Sequence, residues 1–325
     1  MKALVTGGAG FIGLSLIKAL KKRGFYIHAV DVVEKKSLDY EASSILLRSK
    51  SIEYLNIDLT ANSSLSNFAR DYDYIFHFAG VLGVENVTNN PSHTLFANSI
   101  MAWKIAELAK QQENLGLLFY TSTSEVYSGT LETFGMTFPT PESTALTITD
   151  TEGPRNSYMM SKIWGEAVFN YSLLPAVILR PHNIYGPRMG MRHVIPQLLL
   201  KSEKLNDGEV LEVFSPEHTR SFCYIDDAIN FILSILEKTI IKSPITLNLG
   251  NSNEEVLMKD LAKKIVKITG KDLSIKELLN TVGSPKRRQP DLKKIIDLTN
   301  YKPIVSLVEG IQKTHVWYKE NEFSK

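Results

Sequence analysis

Three glycines at positions 7, 10 and 13 separate a short apolar run, Ala3-Leu4-Val5-Thr6, from an amphipathic segment carrying Leu14, Ile17 and Leu20 and closing at Gly24. Such an order reads as strand, turn, helix. Tyr26-Ile27-His28-Ala29-Val30-Asp31 supplies the next strand, so the first thirty residues make one βαβ unit, whose crossover is right-handed in nearly all sheets. Each glycine has its own task. Gly7 turns the chain sharply out of the strand, Gly10 lets the backbone approach a pyrophosphate, and Gly13 allows close helix packing. The first helical turn, with Phe11 and Ile12, adds the partial positive charge of a helix N-terminus. Asp31 ends the second strand 18 residues after Gly13. A carboxylate there accepts hydrogen bonds from the adenosine ribose and repels a 2′-phosphate, so NAD is expected over NADP. Lys35 and Lys36, a few residues on, keep NADP as the lesser alternative.

Further strands are expected at residues 53–57, 74–78, 116–121 and 176–180, alternating with helical patterns over residues 95–112 and 158–171. This alternation predicts an α/β fold: a Rossmann-type doubly wound parallel sheet with helices on both faces. After Arg180 the pattern loosens. A helix around residues 194–200, a strand at 211–214 and helices at 227–237 and 256–269 read as a smaller C-terminal α/β lobe that binds substrate. The expected division is an NAD-binding domain at 1–180 and a substrate lobe at 181–325, with some chain exchange. Residues 137–151 read as a surface or active-site loop.

Composition narrows the partners. With 37 basic and 35 acidic side chains the chain has no electrostatic footprint for nucleic acid or an acidic membrane, though Lys286-Arg287-Arg288 can act locally on a phosphate. A lone Cys223 excludes an internal disulfide and fits a reducing compartment, the cytoplasm by default. Residues 3–17 superficially copy a secretory signal, but four glycines and no small-residue cleavage site argue against one. No metal site and no membrane segment are expected; a small-molecule partner is.

Tyr158 and Lys162 stand four residues apart, on one helix face. A tyrosine is a poor base at neutral pH, and a nearby cation, with the oxidised nicotinamide as a second, can lower its pKa by roughly 1 to 3 units. Tyr158 is thereby read as the base that takes a hydroxyl proton while hydride leaves the same carbon. Upstream, Thr121-Ser122-Thr123-Ser124-Glu125 puts hydroxyls at the carboxyl end of an apolar strand, where one can orient a substrate hydroxyl. The plain alternatives are an amphipathic helix face and a polar turn.

In these residues the chain resembles the extended short-chain dehydrogenase/reductase family, specifically its NAD-dependent nucleotide-sugar epimerases and dehydratases. The matching segments are residues 7–13, Asp31, Asp58-Leu59, residues 77–80, residues 122–127, Tyr158 with Lys162, residues 180–187, Thr219-Arg220-Ser221-Phe222 and Arg288-Gln289-Pro290-Asp291. The resemblance implies that Asp58 and Leu59 border the adenine, and that Ala79 and Gly80 line the nicotinamide-side ribose. It implies that Lys162 also holds that ribose and that Thr123 is the catalytic hydroxyl. Ser124 and Asn183 would meet a nucleotide sugar, a UDP-sugar foremost, and Arg220 and Arg288 its phosphates or ribose. It also implies a homodimer through the helices at 95–112 and around Tyr158, to which Met101, Trp103 and Trp164 contribute, though at helical spacing such residues more often face the core. His182 departs from the family pattern and reads as a packed, hydrogen-bonded histidine. Gly80 and Tyr301 depart as well, away from the chemistry.

The implied first step is oxidation of a sugar hydroxyl, at C4, to a ketone. Re-reduction from the other face gives 4-epimerisation, and loss of water gives 4,6-dehydration. A UDP-glucuronate-type decarboxylase is the alternative. A C4 ketone acidifies the C5 hydrogen, so Glu125, beside Thr123, is a candidate base for its removal. The decarboxylases of the family carry an arginine a few residues past Gly-Pro-Arg; here that place falls on His193, with Arg192 adjacent. A non-catalytic NAD-sensing or scaffold protein is the reading from another class, because fold alone does not settle function.

Overall fold

The structure, a computed structural model, describes residues 1–62, 64–238, 240–281 and 285–323. Two compact units divide the chain. The first comprises Met1–Thr133, Ala145–Pro181 and Leu233–Leu247. Its strands are β1 (Lys2–Thr6), β2 (Tyr26–Asp31), β3 (Ile52–Asn56), β4 (Tyr74–His77), β5 (Leu117–Thr121) and β6 (Ala176–Pro181). They stand in the order β6-β5-β4-β1-β2-β3, and Ile245–Leu249 borders β6 as the seventh strand. Every pairing among β1 to β6 is parallel. The expected doubly wound α/β sheet is what forms.

Parallel strands covered on both faces need near-continuous apolar runs. Ala3, Leu4 and Val5 are fully buried, as are Leu118, Phe119 and Ala176 to Ile178. The strand order reverses between β1 and β4, which opens a crevice at the carboxyl ends of those strands, where ligands of such sheets bind. The loops leaving β1 and β4 touch there: a Cβ on Gly7 would lie 2.8 Å from the Ala79 amide nitrogen.

Helices Pro91–Lys110 and Asn156–Tyr171 belong to the same unit. Met101 is buried as expected of a core residue, whereas Trp103 and Trp164 are 49% and 53% exposed, so the core reading fails for both tryptophans. Spacing marks a face of a helix but does not say which face the neighbours leave bare.

The second unit comprises Phe134–Thr144, His182–Ile232 and Asn248–Lys325. Thr219–Ser221 runs between Glu255–Leu257, antiparallel, and Arg287–Arg288, parallel. Val210–Val213 pairs with Ser274–Glu277, and helices Val194–Lys204, Met258–Thr269, Lys293–Thr299 and Leu307–Asn321 belong to the unit. The helix expected from residue 256 starts at Met258, because Val256, buried and β-branched, pairs with Arg220 in the preceding strand. Within residues 137–151, a segment of this unit is anchored by Asn248, fully buried, whose side-chain amide donates to the Thr140 carbonyl at 2.9 Å and the Asp291 carbonyl at 3.1 Å. His182 is buried with its Nε2 3.2 Å from Asn248 Oδ1, as a packed, hydrogen-bonded histidine. Cys223 is a buried free thiol. Among the described residues no helix is long and apolar enough to cross a membrane, and no cluster of His, Cys, Asp or Glu could hold a metal ion.

Candidate active site

The glycine turn shows why these positions exclude side chains. Gly7 has φ +69°, a conformation glycine adopts without steric cost. A Cβ on Gly13 would lie 2.1 Å from the Gly7 carbonyl oxygen, so the helix Phe11–Lys22 sits directly on the turn. A Cβ on Gly10 would meet only that same oxygen, at 3.2 Å, which leaves the approach to the loop open. The helix begins with Phe11 and Ile12, without a side-chain cap or an acidic residue in its first turn, and so presents positive partial charge. Asp31 is held beside this loop: its carboxylate accepts from the Ala9 amide at 3.0 Å and the Val33 amide at 3.3 Å. Lys36 is paired with Glu34 at 2.8 Å.

Around the crevice, Asp58 accepts from the Thr60 amide (2.8 Å) and hydroxyl (2.7 Å), bonds that hold its carboxyl below the usual range. Leu59 beside it is buried. Lys104, also buried, donates to the Thr60 and Ala61 carbonyls at 2.9 and 2.5 Å and so fastens this segment to helix Pro91–Lys110. The Ala79 amide donates to Thr6 Oγ1 at 3.2 Å. A Cβ on Gly80 would lie 3.4 Å from both Asn98 Oδ1 and Lys162 Nζ, so Gly80 abuts the lysine, and its departure from the family pattern is not away from the chemistry as expected. Asn98 braces the same place: its Oδ1 accepts from the Val81 amide at 2.7 Å, and its Nδ2 donates to Ser161 Oγ at 3.2 Å. Lys104 and Asn98 are site supports that carry no local sequence signal, since each is recognised only by what folds against it.

Thr123, Ser124 and Glu125 follow β5. Thr123 caps the short 3₁₀ turn Ser124–Tyr127, its hydroxyl accepting from the Glu125 amide at 3.2 Å; Ser124 is buried, and Glu125 accepts from Ser128 Oγ at 3.3 Å. Across from them, helix Asn156–Tyr171 carries Tyr158 and Lys162. Burial pushes the Tyr158 phenol up to about 12, the Glu125 charge adds to the rise, and a hydrogen bond with Thr123 opposes it. Burial pulls Lys162 down to about 8, opposed by the charge of Glu166. Its ammonium donates to the Thr121 carbonyl at 2.8 Å and lies 5.2 Å from the Tyr120 ring centroid and 5.8 Å from that of Tyr158. The expectation that the Tyr-Lys pair by itself lowers the phenol pKa therefore does not hold for the protein alone. The lysine is spent on a carbonyl and two ring faces, and the Glu125 charge raises the phenol.

The second unit gathers the other expected residues. Arg220 is buried rather than solvated, with Nη1 donating to the Thr219 carbonyl at 2.7 Å. Arg288 is its register partner on the adjacent strand. Asn183 has φ +44°, a left-handed conformation that asparagine tolerates better than most residues, and its Nδ2 donates to the Ser221 carbonyl at 3.0 Å. Arg287 is committed to Glu255 through two bonds of 2.8 Å.

The family model described as the NAD dependent epimerase/dehydratase family matches residues 3–250. The chain belongs to this family. Among this family member's relatives, UDP-glucuronic acid decarboxylase 1 of Xenopus tropicalis is 30% identical, over 99% of this chain and 73% of that protein. UDP-N-acetyl-alpha-D-glucosaminuronate decarboxylase of Bacillus cytotoxicus is 27% identical, over 99% of this chain and 98% of that one. The solved UDP-glucuronic acid 4-epimerase of Bacillus cereus, in complex with UDP-glucuronic acid and NAD, matches with a TM-score of 0.80 at 26% identity, covering 98% of this chain and 99% of that one. NAD is the cofactor of the family, and the uncapped helix start, the open approach at Gly10 and the fixed Asp31 carboxylate suit it.

In this NAD dependent epimerase/dehydratase family member, Gly13→Ala is expected to cost about 1–3 kcal/mol of stability and to weaken NAD binding about tenfold. The added methyl has to push the helix off the turn. Thermal unfolding and NAD titration check it; wild-type values in both would mean that the loop yields freely.

Proposed function

We propose that this protein oxidises the C4 hydroxyl of a UDP-hexuronate to a ketone and then releases the C6 carboxylate as CO2. One observation carries the reading: Thr123, Glu125, Tyr158 and Lys162 stand beside an NAD cradle, in a chain 27–30% identical over 99% of its length to decarboxylases of UDP-uronic acids. Gly7, Gly10, Phe11, Ile12, Gly13, Asp31, Asp58, Leu59, Ala79, Gly80 and Lys162 would hold NAD, and bound NAD supplies the acceptor of the C4 hydride. Tyr158 takes the hydroxyl proton, and Thr123 orients that hydroxyl through its bond with the phenol. Lys162, as an ammonium, compensates the phenolate charge. The C4 ketone makes the sugar a β-keto acid. Its C5–C6 bond breaks, CO2 leaves, the electron pair passes to the C4 oxygen, and a proton returns to C5 from the side of Glu125. As C4 is reduced again by the cofactor, Tyr158 would give its proton back to the C4 oxygen. Ser124, Asn183, Arg220 and Arg288 are the residues proposed to bind the UDP-sugar, the arginine forks suiting its phosphates.

The second reading is 4-epimerisation without loss of CO2. It is favoured by His193, which starts helix Val194–Lys204 at the place where the resemblance puts the decarboxylase arginine. Incubation with NAD and UDP-glucuronic acid in deuterated buffer, read by product NMR, separates the outcomes. A UDP-pentose with deuterium at C5 supports decarboxylation, and UDP-galacturonic acid with hydrogen at C5 supports epimerisation. A parallel arm with UDP-glucose, yielding a 4-keto-6-deoxy sugar, would replace both with dehydration, and no turnover in either arm would overturn the proposal. The reading includes a cytoplasmic homodimer through helices Pro91–Lys110 and Asn156–Tyr171, whose Phe96, Trp103, Trp164 and Tyr171 are exposed. Sedimentation of a monomer at all concentrations would remove the dimer.

The pH dependence follows from Lys162. Its charged form is the useful one, so kcat/KM is expected to be retained below, and lost as pH rises through, about 8. Lys162→Arg, which stays charged, should remove that alkaline limb from whatever activity survives. A wild-type profile flat to pH 10 would contradict the role.

A further inference from the structure

We infer that Glu166 and Arg180 are positioning residues, a buried ion pair that clamps both ends of the loop carrying Thr123, Ser124 and Glu125 onto the helix carrying Tyr158 and Lys162. Arg180, on β6, donates to Glu166 twice: Nε to Oε1 at 2.8 Å and Nη2 to Oε2 at 2.6 Å. Both side chains are nearly sealed from water, at 6% and 5% exposure. The same pair reaches the loop at two points. Ser122 Oγ, at its start, donates to Glu166 Oε1 at 2.5 Å, and Arg180 Nη1, with its guanidinium carbon 4.9 Å from the Tyr127 ring centroid, donates to the Tyr127 hydroxyl at its end at 2.8 Å. The three proposed chemical residues of the loop lie between those anchors.

On the helix, Glu166 follows Lys162 by four residues and Tyr158 by eight, so the three lie along one face at one-turn intervals. The clamp therefore fixes the separation between the loop's hydroxyl and carboxylate and the helix's phenol and ammonium. Stability is a poor account of such a pair. Two charges taken out of water lose about as much solvation as their attraction returns, and apolar replacements are often neutral. What an ion pair with four directed bonds supplies is geometry, and a misplacement of about 1 Å costs about 10²-fold in rate.

The double variant Glu166→Leu/Arg180→Met removes both partners of the pair together; because it also takes from the buried Lys162 the Glu166 charge that opposes its desolvation, the exchange of the loop, not the rate, decides the test. The expected result is a melting temperature within about 5 °C of wild type, with amide exchange of residues 122–127 faster by about tenfold or more. With UDP-glucuronic acid and NAD, kcat should fall about tenfold or more while KM stays within about twofold. A folded double variant whose loop exchanges as slowly as wild type overturns the inference. Should the double variant not fold, Ser122→Ala/Tyr127→Phe removes only the two loop anchors and leaves the ion pair whole; it should show the same faster exchange, and unchanged exchange again overturns the inference. The kinetic arm rests on the proposed C4 oxidation, but the exchange arm does not. Wild-type protein that turns over no UDP-sugar would sink the functional proposal, and loop exchange would still decide the clamp.

Discussion

Tyr158→Phe is expected to lower turnover by about 10²-fold or more while leaving NAD affinity within about twofold. The substitution removes one oxygen and keeps the ring, so the packing around a half-buried side chain is preserved and only the proton acceptor goes. The effect should be large because the phenol stands in a water-poor site that already holds its proton tightly, near pKa 12. Its deprotonation depends on the positive charge beside it, and a hydrogen bond with Thr123 aligns the phenol. His77, buried at the end of β4, is turned to Thr6 Oγ1 at 2.8 Å, and burial lowers its pKa to about 3, so it cannot substitute as an acceptor that becomes charged. Stopped-flow hydride transfer with UDP-glucuronic acid, beside an NAD titration, separates the two terms. Turnover equal to wild type would end the assignment of Tyr158 as the base. A loss shared equally by NAD binding and rate would mean that the ring organises the cofactor pocket instead.

What could be read from the residues, and what could not, divides along chain separation. The glycine turn was legible because its constraint is local: Gly7 and Gly13 are six residues apart, and the close contact between them is set by the strand-turn-helix geometry itself. Tyr158 and Lys162 were legible for the same reason, as neighbours on one helix face. Glu166 is just as regular in spacing, yet its partners Ser122 and Arg180 lie on other elements, and nothing local distinguishes a buried Glu166 from a solvated one. Spacing favoured a core position for Trp103 and Trp164 over the dimer contact that the resemblance implied, and spacing cannot tell a covered face from a bare one. Helix Leu307–Asn321 carried a legible start, Ser306 capping the Glu309 amide, that apolar patterning alone did not expose. In the protein alone the phenol pKa is raised by burial and by Glu125, a residue 33 positions away that only the fold brings near.

That same carboxylate gives the second large effect. Glu125→Gln is expected to slow product formation by about 10²-fold while C4 oxidation persists and moves its pH dependence toward lower pH. The amide keeps the shape and can still accept from Ser128, but it has neither a charge nor an acidic proton to give. Two steps then respond with opposite sign. The Glu125 charge raises the Tyr158 pKa, so removing it makes the phenol easier to deprotonate and favours the oxidation. The return of a proton to C5 loses its donor, so the decarboxylated enolate, with its electron pair on the C4 oxygen, should accumulate. A single-turnover experiment in deuterated buffer reads both: fast hydride transfer, then slow appearance of UDP-pentose carrying deuterium at C5. Under 4-epimerisation no proton is exchanged at C5, and the variant would be slowed only modestly with hydrogen retained there. Unchanged steady-state turnover with an unshifted pH profile would show that Glu125 does no more than order its loop.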